Sequence, residues 1–549
     1  MFRCSDDGRQ RPGHLRTRFG AWYLSSLVCA CSSVSAAGED VVVNGFGTVN
    51  VSSLAGSSIE QHPVHRAPVG PDALGALLVE PTAPGIEAQR LSDDVAPHDG
   101  VGEQVAQFQL PPPTAGGQAQ AAPLPQRIPF QYSVGTESEI FYARDRDLNK
   151  SVRDNSLIVR PQVKGFFVYR PTDWLSTTVE LILDKDIPVN EQQTIVLPSG
   201  EIQVAQRRHP SLLFNQAFVT IKGVTDPFEL NFGRRNYEDA RHWLYDSSLD
   251  IASVAFKRGR LRVEAFVGRE VLWDLDLLRA EAKNRINTHF VNAEYRGIED
   301  LTLNAYMIER DDRARLEGRP LMLGLSAVGA PSDRFSYWTQ LAVLRGRDQA
   351  SKQYAAHAFD VGGTYRFPKV PLSPSITLGF AYGSGDDNPN DSKNYEFRQT
   401  GLQSNEARFS GVSNFKVYGE ALDPELSNLR ILTAGIGFRP ASNVFVDLVY
   451  HRYRLNKLAD GIRGSPVTTL MNQDDTQLSK KVGSALDVVV GIRNLFGVRR
   501  LGVDLRAGLF FPGQAHRIEE RSIDPVTGDE KISFRKANKG IGFIAKFWY

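Results

Sequence analysis

Arginine is the side chain from which chemistry can be read in this sequence. Arg160, Lys164, Glu180, Arg235, Arg262, Asp360, Arg366, Arg493, Asp504, Arg506 and Lys546 each fall on the polar parity of a segment whose other parity is apolar. Arg outnumbers Lys roughly three to one along the chain. A guanidinium presents a planar fork of donors that holds a carboxylate through paired hydrogen bonds, which a Lys ammonium does not. Such forks on one face suit an anionic solute. The same pattern equally suits the wall of a general pore, where Arg faces Asp and Glu across water and sets a transverse field. Catalytic signals are weak: the chain beyond residue 36 has no Gly-x-Ser-x-Gly, HExxH or CxxC pattern, and no two carboxylates stand at a spacing defined for glycosidic cleavage. We expect no enzyme, no cofactor and no resident metal, with a membrane-embedded hydrolase as the remotest alternative. The run Asp386-Asp387-Asn388-Pro389-Asn390-Asp391 offers oxygen ligands for calcium at Asp386, Asp387 and Asp391, and reads more simply as a solvated turn.

Strands must position these residues. The chain has 549 residues, 64 Lys+Arg against 63 Asp+Glu, and a mean hydropathy of −0.29. This balance argues against a nucleic-acid partner held by bulk positive charge. After residue 36 no apolar run reaches the roughly 18 residues of a membrane-spanning helix. A β-barrel remains open, because lipid-facing residues alternate with polar ones and keep the mean hydropathy low. From residue 128 onward that alternation is continuous. Arg160, Gln162 and Lys164 oppose Val159, Val163 and Phe167; Glu180 and Asp184 oppose Val179, Leu181 and Leu183. Arg262 and Glu264 oppose Leu261, Val263 and Val267, and Asp504 and Arg506 oppose Leu505, Leu509 and Phe511. About eighteen such strands begin near Phe130, Leu157, Trp174, Leu212, Phe228, Ile251, Arg260, Asn287, Leu301, Pro320, Phe335, Ala355, Ser375, Leu429, Val444, Val482, Arg500 and Asn538. Tight turns, as at Arg258-Gly259-Arg260 and Arg439-Pro440-Ala441-Ser442, alternate with long connections such as 185–209, 384–428, 456–481 and 512–537. An even strand count with short turns at one end predicts an all-β transmembrane antiparallel barrel in the bacterial outer membrane, both termini periplasmic. Ile541, Phe543, Ala545, Phe547 and Tyr549 form an apolar closing face. The outer-membrane assembly machinery is its expected reader and membrane lipid its expected surroundings.

Two segments precede the barrel. Residues 1–36 combine a basic start, an apolar run from Phe19 to Cys31 and Val34-Ser35-Ala36 ahead of Ala37, as in a cleaved signal peptide. All three cysteines, Cys4, Cys29 and Cys31, lie there, so the mature chain holds none. A lipobox-like reading, with Cys31 acylated, is the alternative. Residues 37–127 are rich in Pro, Gly, Ala, Ser and Gln and read as a flexible linker with at most a short strand at Val41 to Val43.

Two motifs carry a family likeness. The first holds Phe232-Gly233-Arg234-Arg235, Glu238-Asp239-Ala240-Arg241, Trp243 and Tyr245-Asp246. The second holds FRQTGLQ from Phe397, YGEALDPELSNL from Tyr418 and GIGFRP ending at Pro440. In this order, within residues 128–549, the chain resembles the alginate export family of outer-membrane barrels. The resemblance implies eighteen strands around an electropositive, Arg-rich constriction through which a polyuronate moves. It places Arg234, Arg235, Arg241 and Arg398 on the substrate path, with Asp239 and Asp246 as orienting partners. The full expected lumen set is therefore Arg160, Lys164, Glu180, Arg234, Arg235, Arg241, Asp360, Arg366, Arg398, Asp504 and Arg506. The expected function is a channel for an anionic polysaccharide or a small polar solute, with a general diffusion porin as the alternative.

Overall fold

Alternation of period two makes these segments strands and gives each of them one wet and one apolar face. In the computed structural model the description covers residues 129–549, except 151–154, 190–194, 197–201, 204–208, 224–226, 274, 280–285, 313–317, 389, 525–527 and 529. The expected signal peptide, the linker and the Cys31 lipobox lie outside the described residues. Eighteen long strands follow one another: β1 (Phe130–Arg144), β2 (Ser156–Tyr169), β3 (Leu175–Asp184), β4 (Ser211–Lys222), β5 (Phe228–Glu238), β6 (Asp246–Arg258), β7 (Leu261–Arg269), β8 (Ile286–Ile298), β9 (Leu301–Asp312), β10 (Arg319–Ser332), β11 (Phe335–Arg347), β12 (Ala356–Arg366), β13 (Ser375–Gly383), β14 (Leu429–Ala441), β15 (Val444–Leu455), β16 (Lys481–Ile492), β17 (Gly502–Pro512) and β18 (Gly540–Trp548). Each pairs antiparallel with the next, and β18 pairs with β1 from Glu137↔Trp548 to Arg144↔Ile541, which closes the barrel. Closure pairs the first strand with the last and so leaves the sheet no terminal edge, a condition for strands to exist in lipid. No described helix is long and apolar enough to cross a membrane.

The predicted faces are the observed ones. Along β13, Ser375, Thr377 and Ala381 are buried, while Ile376, Leu378 and Phe380 are exposed. Val163, Leu183, Leu261, Val267 and Leu509, assigned outward by parity, are also exposed. Their alternates Arg160, Glu180, Glu264 and Arg506 are buried inside. All eighteen expected strands exist, and the largest displaced start is β6, at Asp246 rather than Ile251. Gly259 sits at a φ of +60° in the β6–β7 turn, which a two-residue reversal needs and glycine adopts freely. Phe130, Tyr132, Tyr169, Phe228, Tyr295, Phe335 and Tyr365 are exposed at the short-turn end and form an aromatic girdle there.

The connection between β13 and β14 departs from expectation. Residues 384–428 enter the barrel instead of standing outside it, and Phe397, Phe415, Leu422 and Leu426 are fully buried. They pack with Trp243 and Leu244 of the β5–β6 turn and with Tyr453 and Phe510 of the wall. A lumen of sixteen to eighteen strands is too wide for wall side chains to fill, so a folded-in segment supplies the core that the wall lacks.

Candidate functional site

Three wall clusters hold the folded-in segment. Asp360 on β12 accepts from Trp338 Nε1 at 2.8 Å and from Tyr418 Oη at 3.0 Å. Arg241 lies 3.6 Å from the same carboxylate and 4.0 Å over the Trp338 ring, and Trp243 Nε1 donates to Tyr418 Oη at 2.7 Å. On β17, Arg506 reaches Glu406 at 3.1 Å, Glu420 at 3.5 Å and the Asn414 carbonyl at 3.2 Å. Lys416, in the same segment, lies 3.1 Å from Asp423. The third cluster joins Arg493 to Asp504 at 2.7 Å, with Ser413 donating to Asp504 and Arg493 donating to the Val412 carbonyl at 2.9 Å. Beside it, Arg366 donates to the Phe409 carbonyl at 3.1 Å, and Asp447 accepts from Ser410 at 2.7 Å. From β9, Arg310 donates to the Thr400 carbonyl. Gly401 follows at a φ of +80°, a left-handed conformation that glycine adopts freely and other residues only with strain.

Electrostatics inside this contact are uneven. Burial opposes ionisation of Glu406, yet Arg506, followed by Lys416, holds its carboxyl well below the usual range. Glu420 shares Arg506, but burial, reinforced by Glu406 and Asp487, pushes its carboxyl up to about 7. Two carboxylates on one guanidinium cannot both ionise at low cost in a dry site.

The expected lumen residues therefore separate into three groups. Asp360, Arg366, Asp504 and Arg506 face inward, where the folded-in segment engages them; Arg506 and Asp360 keep 3% and 4% side-chain exposure. Arg241 lies on the β5–β6 turn rather than a strand and is likewise buried. Arg398 is not a wall residue; it belongs to the folded-in segment and hydrogen-bonds Tyr354. The second group lines the opposite wall. Arg160 chelates Asp186 at 2.6 and 3.2 Å, Lys164 pairs with Glu137 at 2.8 Å, and Glu180 accepts from Asn215 and Gln216, each at 2.8 Å. Arg235 approaches Glu264 at 3.5 Å and lies over Phe218 and Tyr237. Arg262 pairs with Glu264 at 2.6 Å. Arg235 and Arg262 keep 25% and 24% side-chain exposure, which makes them water-accessible cations of this wall.

Arg234 stands alone as the third group and corrects the expectation. It follows Gly233 directly and pairs in register with Asp250, so it leaves β5 on the face opposite Arg235. Phe232 and Val254, its neighbours on that face, are exposed outward. Arg234 is thus on the outer side of the wall, buried with Asp250 at 3.2 Å.

The orienting role expected of Asp239 and Asp246 is also replaced. Asp239 accepts four backbone N–H bonds, from Arg241, Trp243, Leu244 and Tyr245, and so builds the turn that carries Trp243 inward. Asp246 accepts from Ser404 at 2.5 Å and lies 2.9 Å from His242 Nδ1. Among the described residues, Glu238, His242 and Asp246 form the one group of three metal-type ligands within mutual reach. At the acidic run 386–391 no such group forms among the described residues; Lys457 instead pairs with Asp387. Sequence reasoning missed Glu406, Lys416 and Glu420, because on a loop no periodicity says which side chains turn toward a wall.

A closed eighteen-strand wall, apolar outside with an aromatic girdle and charged inside, defines an outer-membrane β-barrel. Residues 124–526 match the alginate export family, and the chain belongs to it. That is a family of transport proteins and not of enzymes. The alginate production protein AlgE of Pseudomonas aeruginosa is 26% identical over 337 residues, 52% of this chain and 66% of that protein. AlgE of Azotobacter vinelandii is 26% identical over 162 residues, 26% of this chain and 33% of the relative. The aligned regions thus span only part of these relatives' lengths. Among solved structures, the outer membrane protein opdK of Pseudomonas aeruginosa aligns with a TM-score of 0.47 at 12% identity, over 76% of this chain and 98% of that one. OccAB4 of Acinetobacter baumannii aligns with a TM-score of 0.48 at 9% identity, over 77% and 99%.

Proposed function

We propose that this barrel is a passive outer-membrane channel for an anionic polysaccharide of the uronate type, moving along the wall formed by β2 to β7. Family membership supports the substrate class. The observation that carries the path is that residues 384–428 occupy the wall from β12 to β17, while Arg235 and Arg262 on the facing wall remain a quarter exposed. The folded-in segment then acts as a fixed constriction that brings a passing chain against these cations. Both carry Glu264 as partner, so the attraction available to a carboxylate is what this shared anion leaves uncompensated. The first described strand starts and the last strand ends at the short-turn end, which supports a periplasmic placement for both, with β18 presented to the assembly machinery.

The test is single-channel conductance in a planar bilayer with polyuronate added. Concentration-dependent block is expected. Two exposed cations contributing roughly 0.5–1 kcal/mol each would make the half-blocking concentration of the double variant Arg235→Glu, Arg262→Glu about tenfold higher at low salt, with the difference fading at high salt. Unblocked bulk conductance in the wild type would leave a general diffusion porin in its place.

A further inference from the structure

The sequence motif Phe232-Gly233-Arg234-Arg235 contains one arginine that the lumen does not use. Arg234 and Asp250 form an ion pair on the outer face of the wall, with side-chain exposures of 4% and 0%. A charge pair facing hydrocarbon is among the least favourable arrangements a barrel can carry. Here it is covered. Residues 270–273 and 275–278, which leave β7 on the long-loop side, cross over it toward β4: Arg234 donates to the Glu270 carbonyl at 2.6 Å, and Leu272 N–H donates to Asp250 Oδ2 at 2.6 Å.

The same segment repairs a break in the wall. β4 and β5 pair only from Ala217↔Arg234 to Lys222↔Glu229, although both strands continue toward the long-loop end. Beyond the break, the free edge of β4 pairs with the segment instead. Leu213 bridges antiparallel to Asp276, Phe214 N–H donates to the Leu275 carbonyl at 3.0 Å, and Leu277 N–H donates to the Leu212 carbonyl at 2.8 Å. Asp276 also accepts the Leu212 N–H at 3.1 Å. On the outside the segment presents Leu272, Trp273, Leu277 and Leu278, all more than 40% exposed. They continue the lipid-facing surface formed by Leu183 of β3 and Phe232 and Val254 of β5 and β6.

We infer that residues 270–273 and 275–278 form a lipid-seated flap that seals a seam between β4 and β5, latched by Arg234 and Asp250 and bedded in the acyl chains of the surrounding membrane. Buried charges below, paired backbone at the edge and apolar side chains outward are what a wall element in hydrocarbon requires, and a water-exposed loop requires none of them. The inference rests on the barrel and its lipid-facing surface, and does not depend on which solute passes.

The test uses the full chain reconstituted in bilayers whose acyl chains carry bromine, with the fluorescence of Trp273 taken as the difference between wild type and Trp273→Phe. Quenching of that difference signal by brominated chains, with protection from aqueous iodide, is expected. Quenching by iodide and not by bromolipid would overturn the flap. Because residues 37–549 contain no cysteine, the pair Leu213→Cys, Asp276→Cys provides a second reading. Oxidation should join the two in the membrane-embedded protein, and failure to cross-link in a folded barrel would show that the seam is not sealed there. Neither result changes with polyuronate block, so loss of the flap and loss of the export reading are separable.

Discussion

Glu420 decides how tightly the folded-in segment is held. Its carboxyl titrates near 7 inside the barrel against 4.5 ordinarily, so ionising it costs the docked state. A raised carboxyl destabilises progressively as pH climbs from about 4.5 to 7, and the full penalty is present above that range. Glu406 works in the opposite sense, contributing stability above its ordinary range that is lost on acidification. Glu420→Gln removes the first effect while Arg506 keeps Glu406. Hydrogen exchange across 399–426 should therefore slow in the variant relative to wild type at pH 8, by an amount on the order of 3 kcal/mol at most, and converge with it near pH 4.5. Equal protection at both pH values would show that Glu420 carries no such penalty.

Among the elements, β18 carries the closure. Tyr549 exchanges backbone hydrogen bonds with Thr136 at 2.9 and 3.0 Å, and Phe547 and Trp548 pair with Ser138 and Glu137. Deleting residues 547–549 would leave those groups of β1 unpaired against lipid, at several kcal/mol for each group. Loss of heat-modifiable folded protein from the outer membrane is the expected outcome, read on unboiled gels. Normal folded levels would mean that closure does not depend on the last three residues. The long connections also differ as elements. The alternation of short turns and long connections puts 384–428 and 185–209 alike among the loops of the long-connection end, but the first is packed into the lumen. Protease on intact cells should thus cut within 185–209 and spare 399–426, and peptide mapping would show cleavage inside the latter if the segment were outside.

At the scale of the molecule, a balanced chain builds an unevenly divided lumen. The wall from β12 to β17 is committed to holding a plug, and the facing wall from β2 to β7 keeps paired but accessible charges. Replacing Arg235 by Glu should shift the reversal potential toward cations at low salt, while the same change at Arg234 should cost folding instead. Truncating a latched arginine strands Asp250 under the flap, and an uncompensated buried charge costs about 3–5 kcal/mol. Reversal potentials and folded yield, measured on both variants, separate the two. A selectivity shift from Arg234→Glu with normal yield would return that residue to the lumen.

Strand number, strand faces and the direction of closure were legible in the sequence because each depends on local alternation and on turn chemistry a few residues wide. The inward parity of Arg160, Glu180, Asp360 and Arg506 follows from the same rule. What alternation cannot carry is the identity of the groups that meet across the lumen. Glu406 and Glu420 reach Arg506 through a fold of the 384–428 segment, and Arg241 reaches Asp360 through a turn that Asp239 ties together. Alternation by itself sets Arg234 and Arg235, adjacent on β5, on opposite faces, but it does not show what makes the outward arginine tolerable, which is Asp250 and the segment after β7. Those contacts join residues distant in the chain, and only the tertiary structure, by bringing the plug and the flap against the strands, decided which charges stay open to a solute.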